Sequence, residues 1–409
     1  MLEGNDIICF SNDWDSDPLS KKHIMVRLAR KNRILWVNAI GNRNPTASVR
    51  DLKRALKKVR DFAHGWRRLN DNITIFSPLA IPFHGNRAAR WFNRKYLAWS
   101  LRRACKTLGF KDAITWTFEP SSADIAGALG ERLILYHCVD EFSEFSGIDK
   151  TAILEMELRL MEKADLVIVS SSRLYDRKSR FNPNTFFISH GVDVAHFRQA
   201  CRADTPVAQE IAGLARPVIG FYGLIAKWVD LELVRYLARS RPEWSVVLIG
   251  KLETDDSILQ DVANVHLLGR REYRLLPSYC KGFDVAILPF AVNDLTLAAN
   301  PLKLREYLAA GLPVVSTAIP EAEKFDGLVR VGRSYREFLE HIQVLISDGK
   351  RGARLVVSRA MENESWDQKV EDLSEIVAKV NSTRAAGSFH AAKIWRESSS
   401  LQRGGSRYA

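Results

Sequence analysis

The chain has 409 residues, of which 46% are hydrophobic, and its formal net charge is +12. This length exceeds one typical domain, and the apolar content is sufficient for two cores. The five cysteines show no CxxC motif or Cys/His cluster, which argues against a disulfide framework or a zinc site and favours a reducing compartment.

The sequence shows no targeting signal. The first residues, MLEGNDIICF, lack a basic segment and a long apolar run, and no stretch approaches 18 apolar residues, so we expect neither a signal peptide nor a membrane-spanning helix. The positive charge is concentrated in residues 1–110, which contain 22 Lys and Arg against 8 Asp and Glu. This asymmetry suggests a polyanionic partner, either a membrane surface or a nucleic acid.

Short apolar segments alternate with helical segments along the chain, which is typical of strands buried on both faces of a parallel sheet. The first series of predicted strands comprises Asp6–Phe10, Ile34–Ile40, Ile73–Pro78, Ala113–Thr117, Leu133–Asp140, Asp165–Ser170 and Thr185–Gly191. The second series comprises Pro217–Gly223, Ser245–Gly250, Val265–Gly269, Val285–Phe290, Pro313–Thr317 and Leu328–Val331. The pattern predicts an α/β fold with doubly wound domains whose ligands bind at the carboxyl ends of the strands.

A polar segment at residues 198–216 separates the two strand series. We therefore predict an N-terminal domain over residues 1–200 and a C-terminal domain over residues 201–360. Residues 361–384 are expected to form a final helix. The tail at 385–409 is rich in Ser, Gly, Ala and Arg, a composition that favours little fixed structure.

Two loops of the second half carry residues suited to an anionic ligand. Gly223 ends a predicted strand and Lys227 follows it; glycine permits a close backbone approach, and lysine can reach a phosphate. Arg270 follows the strand Val265–Gly269 in the same way. An ordinary strand–turn–helix would also explain the glycine and the lysine.

The segment NPLKLREYLAAGLPVVST, residues 300–317, is the most informative. Asn300 precedes a predicted helix on which Lys303 and Glu306 share one face, because they are three residues apart. A helix start with a basic residue is a suitable seat for a diphosphate, and Glu306 can accept hydrogen bonds from a ribose diol. A surface ion pair is the alternative interpretation.

The second half resembles the GT-B glycosyltransferases grouped with family 4 and related group 1 bacterial polysaccharide enzymes. The segments that carry this resemblance are FYGLIAKW, LLGR, DVAILPF and NPLKLREYLAAGLPVVST, with ADLVIVSSSRL and ISHGVDVAHF upstream. The resemblance implies a GT-B fold of two Rossmann-like domains that face a cleft. The N-terminal domain would hold the acceptor, and the C-terminal domain would hold the donor through Gly223, Lys227, Arg270, Asn300, Lys303 and Glu306.

The resemblance also bears on the chemistry. It implies no metal and no cofactor besides a donor of the UDP- or GDP-sugar type, because basic residues and helix ends would stabilise the leaving nucleoside diphosphate. Retaining members often have two glutamates separated by seven residues; the second would be Glu306, but Ala298 occupies the first position. Retention and inversion therefore both stay open.

An inverting enzyme requires a general base near the acceptor hydroxyl. Asp140 is the first candidate because it follows a buried strand, and Asp13, just after the first strand, is the second. Each of them also fits a loop or capping role. His137 and Glu141 lie beside Asp140, and we expect His137 to be a packed core residue.

Residues 49–103 form a basic surface. Within it, residues 49–69 repeat apolar side chains at spacings of three and four, which predicts an amphipathic helix, and residues 87–103 interleave aromatic with basic side chains. This combination suits an anionic membrane surface. A solvated basic helix is the alternative, and nucleic acid is not expected because no recognition motif accompanies the surface.

These features together predict a cytoplasmic glycosyltransferase, peripheral on the inner face of the plasma membrane. It would transfer a sugar from a nucleoside-diphosphate sugar to a lipid-linked or polysaccharide acceptor, as in bacterial exopolysaccharide or cell-envelope synthesis. Two alternatives stay open: a nucleotide-sugar epimerase of GT-B fold, and a non-catalytic GT-B-like scaffold associated with membranes.

Overall fold

The computed structural model describes residues 1–16, 18–39, 65–78, 87–145 and 147–385. These residues divide into two compact units. Unit 1 comprises residues 1–189 together with the described residues from Val370 onward, and unit 2 comprises residues 190–369. The division lies before the predicted boundary at residues 200/201, because Val192, Phe197 and Ala200 belong to the core of unit 2.

Unit 1 is built on one sheet. Its described strands are β1 Asp6–Phe10, β2 Arg33–Val37, β3 Trp66–Arg68, β4 Ile73–Phe76, β5 Ile114–Thr117, β6 Leu133–Cys138, β7 Leu166–Val169 and β8 Thr185–Phe187. Their order is β3-β4-β2-β1-β5-β6-β7-β8. The strands from β4 to β8 pair in parallel, and β3 pairs antiparallel with β4.

Strand β3 corrects the predicted amphipathic helix at residues 49–69. Residues 66–68 are an edge strand, in which Trp66 packs edge-on against Phe76 at a centroid distance of 6.1 Å. Antiparallel pairing with β4, from Trp66 opposite Phe76 to Arg68 opposite Thr74, overrides the helical spacing here. The remainder of the predicted helix, residues 49–64, lies outside the described part of the chain.

The α-helices of unit 1 surround this sheet. They are α1 Ser20–Leu28, α2 Arg87–Leu108, α3 Lys150–Lys163 and α4 Ser172–Lys178. Leu97, Leu101 and Ala104 of α2 are buried in a core cluster with β1 and β2. Helix α2 therefore packs by one stripe, and its other faces point away from the core.

Unit 2 repeats the alternation of strands and helices. Its strands are β9 Val218–Tyr222, β10 Ser245–Ile249, β11 Val265–Gly269, β12 Val285–Leu288, β13 Val314–Thr317 and β14 Val329–Gly332. All described neighbours are parallel, in the order β11-β10-β9-β12-β13-β14. Every predicted strand is present, with ends that differ by a few residues, and the predicted α/β fold with two parallel-sheet domains is confirmed.

Short helices connect the strands of unit 2. They are α5 Val194–Phe197, α6 Gln209–Ala212, α7 Leu231–Ser240, α8 Leu276–Gly282, α9 Asp294–Ala298, α10 Leu302–Ala309, α11 Pro320–Glu323, α12 Tyr335–Ser347 and α13 Leu355–Arg359. The final helix, α14 Trp366–Ala385, begins in unit 2 and continues in unit 1. Its Trp366 is buried, and His190 packs beside that ring at 6.0 Å.

Candidate functional site

Three glycines lie at the carboxyl edge of the unit 2 sheet, where β9, β10 and β11 end. The Gly223 N–H donates to the Ile249 carbonyl at 2.8 Å, and the Gly250 N–H donates to the Gly269 carbonyl at 3.0 Å. Gly250 has φ +154°, and a Cβ there would overlap the Gly223 carbonyl. The ends of β9, β10 and β11 are therefore packed backbone against backbone, which requires a residue without a Cβ at position 250.

Helix α10 places Lys303 and Glu306 beside this edge. The Lys303 Nζ lies 3.3 Å from the Glu306 Oε2, and the Tyr222 hydroxyl donates to that same oxygen at 2.9 Å. Glu306 and Tyr222 are both buried. Burial and the neighbouring Glu306 raise the pKa of Tyr222 well above its usual value, so this hydroxyl remains a donor.

Lys303 is the accessible member of this group. Its side chain is 24% exposed, against 7% for Glu306. Its Nζ lies 5.5 Å from the centre of the Tyr222 ring, and a Cβ on Gly223 would lie 3.5 Å from its Cε. The ammonium group is therefore held between an aromatic ring, a carboxylate and the glycine turn, and it still reaches solvent.

Asn300 is engaged inside unit 2. Its Oδ1 accepts from Arg305 at 2.5 Å, and its Nδ2 donates to the Glu321 Oε2 at 3.2 Å. Arg305 also donates to the Glu364 Oε2 at 3.0 Å. Asn300, Arg305 and Glu321 are all buried, so the described contacts of Asn300 serve to hold the start of α10.

The other predicted donor residues occupy the same edge of the sheet. Lys227 is exposed in the loop between β9 and α7, and Arg270 is exposed directly after β11. Ala298, where a retaining relative often has glutamate, is fully buried at the end of α9. Its methyl group offers no polar contact at that position.

The carboxyl edge of the unit 1 sheet holds the two predicted bases. Asp140 is half-buried directly after β6. Burial raises its pKa to about 6, and Glu119 adds to this effect while Lys21 opposes it. Asp13 is half-buried after β1, and its backbone carbonyl accepts from Ser16 at 3.0 Å.

The neighbours of Asp140 have structural roles. His137 is buried and stacks on Phe118 at 4.9 Å, and burial lowers its pKa to about 3. It is therefore the neutral core residue that we expected. Glu141 is buried and forms ion pairs with Arg177 and Lys178, each at 3.1 Å.

Two side-chain contacts at the sheet edges were not predicted from the sequence. Tyr222 lies inside the quoted segment FYGLIAKW, but its contact with Glu306 joins residues that are 84 positions apart. The buried ion pair between Lys21 and Glu119, at 2.7 Å, joins residues that are 98 positions apart. No local spacing marks either contact, because each joins a residue at or after a strand end, Tyr222 or Glu119, to a residue on a distant helix.

The described residues contain neither a membrane-spanning helix nor a cluster of metal-ligating side chains. No described helix is both long and apolar enough to cross a bilayer. Within the same residues, no three His, Cys, Asp or Glu side chains are grouped as a metal ion would require.

Comparisons with known proteins bear on the family. Residues 216–348 match the family described as "Glycosyl transferases group 1". A relative from Bacillus subtilis, named as the teichuronic acid biosynthesis glycosyltransferase TuaH, is 27% identical over 207 residues. That alignment covers 47% of this chain and 52% of TuaH, so it spans about half the length of the relative.

Solved structures show the fold. Sucrose-phosphate synthase from Thermosynechococcus elongatus superposes with a TM-score of 0.66 at 15% identity, over 93% of this chain and 100% of that one. Anabaena HepE in complex with UDP-glucose gives a TM-score of 0.61 at 15% identity, over 91% and 99%. Residues 216–348 therefore resemble the group 1 glycosyltransferases in sequence, and the chain that carries them has the GT-B fold.

Proposed function

We propose that the protein is a glycosyltransferase that uses a nucleoside-diphosphate sugar of the UDP or GDP type. The observation that carries this proposal is the accessible Lys303 beside the buried Glu306 and Tyr222, on a glycine-lined sheet edge within residues 216–348. Lys303 would bind the diphosphate, and Glu306 would accept from the ribose or base side. HepE was solved with UDP-glucose, which supports a nucleotide-sugar donor.

The proposed chemistry rests on side chains. Lys303 and the N-terminal end of helix α10 would stabilise the leaving diphosphate without a metal. Asp140 would deprotonate the acceptor hydroxyl in an inverting reaction, since a carboxylate with a pKa of about 6 is ionised near neutral pH and still accepts a proton readily. Gly223, Lys227, Arg270 and Asn300 would complete the donor site.

The proposed acceptor is a lipid-linked or polysaccharide chain of exopolysaccharide or cell-envelope synthesis. The relative named for teichuronic acid biosynthesis supports this class of acceptor. The proposed location is the inner face of the plasma membrane, reached through the basic surface at residues 49–103. The N-terminal domain would bind the acceptor, and the C-terminal domain would bind the donor.

The donor site is tested by thermal unfolding with UDP, GDP and ADP. A nucleotide at 100 times its Kd stabilises the folded state by about 2.7 kcal/mol. Lys303→Ala should abolish the shift in the unfolding midpoint. Lys324→Ala is the matched control, because Lys324 pairs with Glu321 three residues earlier at 2.6 Å in the same unit, and it should keep the shift.

Two outcomes would contradict the proposal. If none of the three nucleotides shifts the midpoint of the wild-type protein, the donor site is wrong. If the nucleotide shift survives in Lys303→Ala, the phosphate assignment is wrong even though the protein binds nucleotides.

A further inference from the structure

Helix α2 exposes a face of unusual composition. Seven exposed side chains occupy about 120° of its circumference. We call this set the aromatic–basic face, and its members are Trp91, Phe92, Lys95, Trp99, Arg102, Arg103 and Lys106. Within residues 90–108, where the side chains are described, this arc contains only aromatic and cationic residues.

The aromatic side chains of this face are not packed on the core. Trp91 is 65% exposed, Phe92 50% and Trp99 60%. The core stripe of α2 lies on the opposite side, through Leu97 and Leu101. Three large rings exposed along one helix leave a contiguous apolar area in water, which marks an interaction surface rather than a solvated one.

The charge of the helix restricts the partner. Helix α2 contains seven basic residues and no Asp or Glu, whereas ordinary surfaces intersperse both signs. The partner must therefore be anionic and must also accept bulky rings. A bilayer that contains anionic phospholipid does both, because tryptophan rings sit at the headgroup level and cations attract the lipid phosphates.

Exposed aliphatic side chains extend the apolar surface onto the neighbouring helix. Leu158 of α3 is 36% exposed and lines a groove of about 880 Å³ together with Trp91. The other lining side chains include three arginines and three carboxylates, namely Arg90, Arg94, Arg159, Asp124, Asp149 and Glu155. Leu154, one turn earlier on α3, is also exposed. Aliphatic side chains gain by burial in lipid but do not stack on nucleobases as rings do, so this extension favours a bilayer over single-stranded nucleic acid.

We infer that the aromatic–basic face of α2 docks unit 1 on a bilayer containing anionic phospholipid, with Trp91 and Trp99 at the level of the headgroups. This inference deepens the membrane attachment in the proposed function, and it assigns that attachment to one described helix. It does not depend on residues 49–64 or on the donor site of unit 2.

The test is co-sedimentation of the full chain with phosphatidylcholine vesicles that contain or lack phosphatidylglycerol. We expect binding to the anionic vesicles that weakens with added salt. Trp91→Ala combined with Trp99→Ala should lower the partition coefficient on the order of tenfold or more. Phe181→Ala is the matched control, because Phe181 is 53% exposed in unit 1 but lies outside α2, and it should bind like the wild type.

A charge variant separates the two contributions. Lys95→Gln combined with Lys106→Gln should lower the partition roughly 30-fold, or about 2 kcal/mol. Arg102 is left intact because its Nε donates to the Ala128 carbonyl at 2.8 Å. Quenching of tryptophan emission by acyl-brominated lipid should occur in the wild type and fall in the double tryptophan variant.

Three results would overturn the inference: no binding to either vesicle, unchanged binding by the double tryptophan variant, or binding to a single-stranded oligonucleotide without binding to vesicles. The nucleotide shift measured on the same proteins separates this inference from the donor site. If vesicle binding is absent and the shift is present, the docking face alone is wrong. If the protein binds vesicles and no nucleotide shifts its unfolding midpoint, only the donor-site assignment is wrong.

Discussion

Each unit holds a Lys–Glu pair at the carboxyl edge of its sheet, and the two pairs differ in access. In unit 1, Lys21 and Glu119 are 2.7 Å apart with side chains 9% and 8% exposed, and the lysine lies 5.7 Å from the rings of Phe118 and Phe142. In unit 2, Lys303 and Glu306 are 3.3 Å apart, and the lysine is 24% exposed.

The difference indicates separate roles. A buried pair that is covered by aromatic rings is already satisfied, and removing one member leaves a charge in a medium of low dielectric constant. A partly exposed lysine next to a carboxylate held by a tyrosine can exchange its partner for a phosphate. We therefore interpret Lys21–Glu119 as structural and Lys303–Glu306 as the ligand-binding pair.

The largest expected effect on stability comes from the buried pair Lys21–Glu119 of unit 1. Lys21→Ala removes the lysine beside a buried carboxylate, and breaking such a pair costs about 3–5 kcal/mol of unfolding free energy. Urea unfolding measures this loss. Lys21→Met with Glu119→Leu should recover most of it, because both charges are removed. A loss in Lys303→Ala as large as that in Lys21→Ala would show that the two pairs are equivalent.

Asp140 gives the next largest effect, and that effect depends on pH. Its pKa is about 6 in the folded protein, against about 3.9 in the unfolded chain. The folded state holds the extra proton between these values, so wild-type stability falls as pH rises from about 4 to about 6. Asp140→Asn carries no such penalty, and above pH 6 it should be more stable than wild type by up to about 3 kcal/mol.

Urea unfolding at pH 4 and pH 7.5 checks this prediction, with no difference between the proteins expected at the lower pH. Asp13→Asn, in the loop after β1 in the same unit, is the control. The same two variants test the assignment of Asp140 as the general base. Sugar transfer should be lost in Asp140→Asn. If it is lost in Asp13→Asn alone, Asp13 is the base instead.

A smaller effect is expected at the tyrosine that holds Glu306. Tyr222→Phe removes a hydrogen bond to a charged group, which costs roughly 1.5–3 kcal/mol, and it should also weaken nucleotide binding because Glu306 loses its orienting donor. Tyr136→Phe is a matched control in unit 1: the buried Tyr136 donates to the buried Glu157 at 2.7 Å, and Lys178 pairs with that carboxylate at 2.8 Å.

Both tyrosine variants should lower the unfolding midpoint by similar amounts, but only Tyr222→Phe should reduce the nucleotide shift. Equal nucleotide shifts in the two variants would mean that Tyr222 has a purely structural role, like that of Tyr136.

Local patterns in the sequence located most of the framework. Strands buried on both faces are continuous apolar runs, and β1 and β11 have the predicted bounds. The helix with Lys303 and Glu306 on one face followed from their spacing of three, and the 3.3 Å contact confirms that they are neighbours. The error at residues 66–68 arose because a three-residue edge strand has too short a pattern to outweigh helical spacing.

The sequence by itself determined the alternation of strands and helices, the basic N-terminal quarter and the residues at the strand ends, because these depend on neighbours along the chain. Only the tertiary structure decided which strand ends meet. It placed Tyr222 on Glu306 and Lys21 on Glu119, and it turned Trp91 and Trp99 away from the core. These outcomes depend on sheet order and burial, which join residues that are distant in the chain.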